Sequence, residues 1–111
     1  TVVACRLGRC QQAYELFQQW DGFFLSPFEV TREILADDRN TVFLTAIGGF
    51  LQNFLYGFGG IRLREDGLKV QPLLPEQVRR ITFKRIFWGG KAYQLSIEKK
   101  EDKAIYELTQ A

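Results

Sequence analysis

The spacing of apolar residues changes once along this chain, at a run of glycines that ends with Gly59 and Gly60. Before the glycines, apolar residues recur every three or four positions, as on one face of a helix; from Ile61 they alternate with polar residues, as in a strand. A run of helices followed by a run of strands is typical of α+β folds. We therefore predict an α+β chain with two parts, a helical part at 1–60 and an antiparallel β part at 61–111.

Two helices are predicted in the first part. The first is one amphipathic helix that ends at Asp21-Gly22, with the glycine as a left-handed cap. The second begins at a cap on Asn40 or Thr41 and runs to Phe58. The glycine pair Gly48-Gly49 lies inside it and costs about 1 kcal/mol per residue relative to alanine, which predicts a close approach by a neighbouring helix or a ligand. The apolar stripe of the first helix is Val3, Leu7, Cys10, Tyr14 and Phe17. Since helical spacing is already running at Thr1, we interpret the chain as part of a longer protein.

The second part is predicted to be a small antiparallel meander. The segments around Ile61 and Val70 flank an Asp66-Gly67 turn, which indicates a hairpin. Further alternating segments follow at 81–83, 92–97 and 104–108, with turns at Gly89-Gly90 and at 99–102.

Composition argues against several kinds of site. The chain has no histidine, so a zinc site or a catalytic Ser/His or Cys/His pair is not expected. Cys5 and Cys10 would lie on different helix faces, and we interpret them as small core residues without a disulfide. The net charge is +2, there is no apolar run long enough to span a bilayer, and no leader pattern is visible. We predict no cofactor, metal, nucleic acid or membrane partner, and favour a cytoplasmic location.

The stretch NTVFLTAIGGFLQNFLYGFGGIR at 40–62 resembles the late barrel helix of family-65 glycoside hydrolases. The stretch RLGRCQQAYELF is similar to the preceding barrel helix of that family, and the strands after Ile61 are similar to its C-terminal β domain. The resemblance implies the last helices of an (α/α)6 barrel followed by a β domain, in an enzyme that inverts the anomeric carbon of α-linked glucosides. It also implies that the general acid lies upstream, that the rest of the parent chain is the partner, and that the isolated chain is inactive.

The resemblance also implies site residues. The stretch PFEVTRE at 27–33 is similar to the context of the family's general base, which assigns the base to Glu33, with Glu29 as the alternative. The same alignment makes Phe28, Thr45, Gly48 and Gly49 candidates for substrate binding. The phosphate-using members resemble a pattern with His and Ser where this chain has Phe43 and Ala46, so the sequence favours water as the acceptor.

Three other hypotheses remain open. The aromatic residues Trp88, Tyr93 and Tyr106 could stack on sugars as in a carbohydrate-binding module, although strand aromatics more often belong to the core. A basic stretch near Phe83 superficially resembles an RNA-binding sheet, which the low net charge disfavours. A purely structural role is the interpretation that we favour for the β part.

Overall fold

The computed structural model describes residues 1–23 and 44–111, which form helices followed by antiparallel strands. The α+β prediction is confirmed in this form, while the barrel itself is not part of the chain. The elements are α1 (Val2–Arg6), α2 (Cys10–Gln18), a 3-10 turn (Gln19–Phe23), α3 (Leu44–Gln52), a π-helical segment (Asn53–Phe58), β1 (Ile61–Arg64), β2 (Gly67–Val70), β3 (Arg80–Trp88), β4 (Lys91–Lys100) and β5 (Lys103–Gln110).

The prediction of one continuous first helix is wrong, because the helix breaks at Gly8. This glycine has a left-handed φ of 71°. Its N–H donates to the Cys5 carbonyl at 3.0 Å, and the Arg9 N–H donates to the Ala4 carbonyl at 2.9 Å. These two bonds form a Schellman motif, which ends a helix by satisfying its last carbonyls. The break rotates the first part of the predicted stripe out of the core, so Val3 and Leu7 are 69% and 63% exposed, whereas Tyr14 and Phe17 pack against the core.

The ends of the other helical segments also differ from prediction. A 3-10 turn runs through Gly22, so the left-handed cap predicted there is wrong. The long helix changes at Asn53 into a π-helical segment that contains Gly57 and ends at Phe58. Gly60, with a φ of 63°, then starts the strand region. The predicted caps Asn40 and Thr41 lie outside the described residues.

Close packing of glycine occurs at Gly59 and Gly60 rather than at Gly48-Gly49. A Cβ on Gly59 would lie 2.6 Å from the Phe54 carbonyl oxygen, and one on Gly60 would overlap the Gln71 carbonyl. The Gln71 N–H also donates to the Gly60 carbonyl at 2.9 Å. By contrast, no described atom lies within 4 Å of a Cβ on Gly48. The helical and β parts thus meet at the glycines that join them.

The predicted hairpins form, but as two sheets rather than one meander. Strands β1 and β2 pair antiparallel from Ile61 opposite Val70 to Arg64 opposite Gly67. The turn between them is therefore Glu65-Asp66, and the predicted Asp66-Gly67 turn is wrong by one residue. Strands β3, β4 and β5 form the second sheet, in that order. Its turns are Gly89-Gly90 and Glu101-Asp102, and all four residues have positive φ, as type I′ hairpin turns require.

One hydrophobic core joins the two parts of the chain. Leu95 and Ile97 of β4 are fully buried, and Phe58 and Ile61 are 1% and 2% exposed. Ala13 of α2 belongs to the same cluster. The division of the chain at residues 60 and 61 therefore stays a prediction, since the packing of the two parts is shared.

Candidate functional site

Three of the predicted site residues fall in one segment of the chain. Glu33, its alternative Glu29 and the substrate-binding candidate Phe28 lie within 24–43, outside the described residues. Their roles stay predictions. The structure describes the elements on either side of this segment, the 3-10 turn after α2 and the start of α3.

The other predicted site residues lie together on α3. Thr45, Gly48 and Gly49 are three and four positions apart, which places them on one helix face. Thr45 and Gly48 are exposed, and a Cβ on Gly49 would lie 3.7 Å from Cη2 of Trp20, an ordinary contact. This small-residue face is accessible, and its contact with a sugar stays a prediction.

An aromatic cluster fixes α3 and the π-helical segment against α2. The Phe17 ring stacks on Phe50 with a centroid distance of 5.6 Å, and meets Phe54 and Phe58 edge-on at 5.2 and 5.5 Å. Trp20 meets Phe50 edge-on at 5.5 Å. Such pairs each contribute about 0.5–1.5 kcal/mol beyond their buried area. The cluster therefore sets the orientation of the helix that carries Thr45 and the glycine pair.

Helix α3 leaves much of its apolar surface uncovered. None of its residues is buried, although its sequence is LTAIGGFLQ. Leu44 is 76% and Leu51 is 52% exposed. Contiguous apolar surface of this kind marks a contact with another body in soluble proteins.

A cleft of about 470 Å³ opens between α1, the π-helical segment and the β1–β2 hairpin. We call it the arginine cleft. Its lining residues are Arg6, Tyr56, Ile61, Arg62, Leu63, Arg64 and Gln71. A second cleft of about 390 Å³ shares Arg62, Arg64 and Gln71 and is lined on its far side by Tyr106 of β5. The two arginines of β1 thus stand between two concave surfaces.

Arg62 is held in place by backbone carbonyls. Its Nη1 donates to the Tyr56 carbonyl at 2.6 Å and to the Ile61 carbonyl at 3.0 Å. Partial burial lowers the pKa of the Arg62 guanidinium, and the positive charges of Arg6 and Arg64 lower the pKa further. Arg62 thereby links the π-helical segment to β1. Its guanidinium lies near the positive charges of Arg6 and Arg64.

The three aromatic residues that could stack on a sugar, Trp88, Tyr93 and Tyr106, lie on one face of the second sheet. Tyr106 pairs with Ile97 and Tyr93 lies two residues before Leu95, so both tyrosines lie on the sheet face that carries the buried core. Trp88 lies two residues after Ile86, the partner of Tyr93, and therefore shares that face. The outward aromatic residue of β3 is Phe87, which is 72% exposed. Trp88 and Tyr93 are half-buried and Tyr106 is 50% exposed, so the core interpretation and the sugar-stacking hypothesis both stay predictions.

Both cysteines are free, and Cys5 is buried. Burial, with a smaller contribution from nearby Cys10, raises the pKa of the Cys5 thiol from 9.0 to about 11. Burial also raises the pKa of Cys10. Since the folded chain holds the Cys5 proton more tightly than the unfolded chain, this thiol favours folding fully below pH 9.0, and that contribution is lost as the pH rises toward about 11.

We expect Cys5 to alkylate slowly in the folded chain. At pH 8 a thiol with this pKa has a thiolate fraction about 100-fold smaller than a thiol with a pKa of 9. The thiolate of higher pKa is intrinsically about tenfold more nucleophilic, so we expect iodoacetamide to react with Cys5 at least about tenfold more slowly in the folded chain than in urea. Mass spectrometry of a Cys10→Ser variant over time measures the rate. Equal alkylation rates in buffer and in urea would contradict the raised pKa of Cys5.

Two absences concern only the part of the chain that the structure describes. Within 1–23 and 44–111, no helix is long and apolar enough to cross a membrane. The same residues contain no group of three or more Cys, Asp and Glu side chains that could hold a metal ion. The predictions of no metal, no cofactor and no membrane or nucleic-acid partner stay predictions.

Comparison with known proteins decides the family. Residues 61–110 match the model of the glycosyl hydrolase family 65 C-terminal domain. This region is a glycosyl hydrolase family 65 C-terminal domain. The match covers the region from β1 to the end of β5, the elements that form both sheets. No solved structure is significantly similar to the chain.

Relatives of this family 65 chain include both hydrolases and phosphorylases. A protein-glucosylgalactosylhydroxylysine glucosidase from Danio rerio is 32% identical over 93% of the chain and 16% of its own length. A kojibiose hydrolase from Mucilaginibacter mallensis is 32% identical over 84% of the chain and 14% of its own length. An alpha,alpha-trehalose phosphorylase from Geobacillus stearothermophilus is 25% identical over 93% of the chain and 12% of its own length. The family 65 chain thus spans about a sixth or less of these relatives.

The arginine cleft is the feature that sequence reasoning missed. Arg62 and Arg64 follow each other at strand spacing, which places them on one side of β1. The sequence could therefore have predicted that these two arginines lie side by side on β1. Nothing in the sequence connects them with Arg6, because α1 and β1 are brought together by packing against the same π-helical segment.

Proposed function

We propose that this family 65 chain is the C-terminal part of an inverting α-glucosidase. In this proposal the complete enzyme hydrolyses an α-linked glucose disaccharide or a related glucoside, and Glu33 activates the attacking water. Residues 1–60 are the last helices of its (α/α)6 barrel, and the β part closes the chain. Inverting hydrolysis needs an acid on the leaving oxygen and a base on the opposite face of the sugar.

The observation that carries the proposal is the similarity to hydrolytic relatives over most of the chain. The kojibiose hydrolase and the hydroxylysine-linked glucosidase are each 32% identical and extend well beyond the β part. The proposal of water rather than phosphate as the acceptor rests on two side chains. Ala46 on α3 and Phe43 have no group that binds an anion, whereas phosphate binding at such a site uses hydroxyl and imidazole donors beside backbone N–H groups.

The helical part supports a role as one wall of a larger catalytic domain. Its exposed apolar helix carries Thr45, Gly48 and Gly49 on one face and holds Leu44 and Leu51 open to solvent. In the complete enzyme the exposed side chains of Leu44 and Leu51 pack against the preceding barrel helices. The β part supports α3 indirectly, because β1 contacts the π-helical segment that continues α3.

The proposed reaction can be tested by an assay of the full-length protein that contains this chain. It is incubated with kojibiose, trehalose and maltose, with and without inorganic phosphate, and proton NMR follows the anomer that appears first. We expect glucose release without phosphate and β-glucose as the first product, because inversion of an α-linkage gives the β-anomer. Glucose 1-phosphate formed only in the presence of phosphate would contradict hydrolysis, and α-glucose as first product would contradict inversion.

We also expect the isolated 111-residue chain to be inactive. It lacks the general acid, and it lacks the walls that would hold a sugar in a reactive geometry, which contributes several orders of magnitude to an enzyme's rate. Glucose release from the same three disaccharides is measured at high protein concentration beside the full-length enzyme. Turnover by the fragment that follows its concentration and survives further purification would contradict this expectation.

A further inference from the structure

The arginine cleft combines positive charge with a concave shape. Arg6 comes from α1, Arg62 and Arg64 come from β1, and all three line the same space of about 470 Å³. Tyr56 and Gln71 add further polar groups to the wall. Guanidinium groups present planar arrays of donors that suit carboxylate and phosphate oxygens.

Within the described residues, none of the three arginines forms an ion pair, although the charge of Arg64 acts on the Asp66 carboxylate. The ion pairs found there are Lys69 with Asp66 at 2.9 Å and Arg80 with Glu98 at 2.9 Å. Asp66, at the tip of the β1–β2 hairpin, is thus already paired with Lys69. Like charges that are only weakly compensated repel each other, and a bound anion reduces that repulsion.

Arg62 is oriented before any ligand arrives. The Tyr56 and Ile61 carbonyls hold its Nη1, while the donors on Nη2 and Nε make no hydrogen bond to a described residue. A guanidinium that is fixed in this way loses little side-chain entropy when it binds an oxyanion. Neighbouring Arg64, which is exposed and unbonded, can close on the ligand from the other side.

We propose that the arginine cleft is a binding site for the phosphate group of a small molecule. A phosphate ion occupies only a few times the roughly 30 Å³ of a water molecule, so the cleft leaves room for an organic part beside it. Leu63 and Tyr56 form walls for that part, and Gln71 offers an amide to its hydroxyl groups. The site belongs to the described chain and does not depend on the hydrolytic mechanism. Free inorganic phosphate is the other source of the same chemistry.

Titration of the 111-residue chain at constant ionic strength tests the site. The probes are inorganic phosphate, a hexose 6-phosphate and malonate, and ¹⁵N NMR of backbone amides and arginine Nε groups reports binding. We expect saturable shifts at 61–64 and 71, with a Kd of about 1 mM or lower for at least one phosphate probe. Tighter binding of the hexose phosphate identifies a phosphorylated small molecule as the ligand, and equal binding identifies free phosphate. Shifts with malonate alone would overturn the proposal, as would shifts that potassium chloride reproduces.

Matched variants separate the cleft from general positive charge. Arg64→Gln removes an exposed, unbonded guanidinium, so the fold should persist, and we expect phosphate binding to weaken about tenfold or more through loss of a charge-assisted bond. Arg85→Gln on β3 removes the same charge away from the cleft and should leave the Kd unchanged. Equal affinity of Arg64→Gln and the original chain would overturn the assignment.

Discussion

Replacement of Glu33 by Gln in the full-length enzyme is expected to lower kcat for disaccharide hydrolysis by about 10²- to 10⁴-fold, with a small change in KM. Glutamine has the same size and keeps hydrogen bonding, but it cannot accept a proton from water. The pH profile adds an independent signature. A general base must be deprotonated, so the original enzyme loses activity as the pH falls through the pKa of the base, and this acidic limb should be absent from the residual activity of Glu33→Gln.

The matched control is Glu29→Gln, which removes the alternative carboxylate in the same stretch. We expect this variant to keep kcat within a few-fold of the original enzyme. If Glu29→Gln loses the activity and Glu33→Gln retains it, the base is Glu29. Full activity in both variants would show that neither carboxylate is the base, and would remove the main sequence-based assignment in this chain.

The second large effect is on stability, and we expect Gly60→Ala to lower the free energy of unfolding by about 3 kcal/mol or more. Two costs add at this position. Gly60 has a φ of 63°, a left-handed conformation that costs a non-glycine residue about 1–2 kcal/mol. A Cβ there also overlaps the Gln71 carbonyl, whose own N–H is bonded to the Gly60 carbonyl at 2.9 Å. The backbone must shift to relieve the overlap, which breaks the junction of the two parts.

Gly89→Ala separates the two costs. Gly89 has a similar φ of 56°, but no described atom lies within 4 Å of its Cβ position. This variant should therefore lose only the conformational part, about 1–2 kcal/mol. Urea denaturation followed by far-UV circular dichroism measures both variants of the 111-residue chain. Equal losses in the two would contradict the steric argument at Gly60.

Local sequence patterns were enough to predict much of the fold of this chain. The β hairpins could be predicted because turn residues and two-residue alternation are properties of adjacent positions, as at Gly89-Gly90. The first turn was predicted one residue too late, since Gly67 already pairs with Arg64. The helical break at Gly8 was equally local, but the apolar stripe from Val3 to Phe17 concealed it. The apolar spacing shows which side chains could share a helix face. Whether they do depends on Gly8, whose left-handed conformation ends the helix.

The residues of the candidate sites depended on two different kinds of information. The assignment of Glu33 comes from resemblance to a family, and no contact in the described residues bears on it. Thr45, Gly48 and Gly49 of α3 could be placed on one face from the sequence because helix spacing is a local rule. The arginine cleft required coordinates, since Arg6 and Arg62 are distant in sequence and no periodicity relates them.

The sequence alone determined the order of helices and strands, the positions of the hairpin turns and the resemblance to family 65, because each of these depends on neighbouring residues or on a contiguous motif. Tertiary structure decided which faces are buried, why Gly59 and Gly60 rather than Gly48 are tightly packed, and where three arginines meet. The physical reason is that burial, close approach and charge clustering are set by residues that become neighbours only when the helical part folds onto the strands.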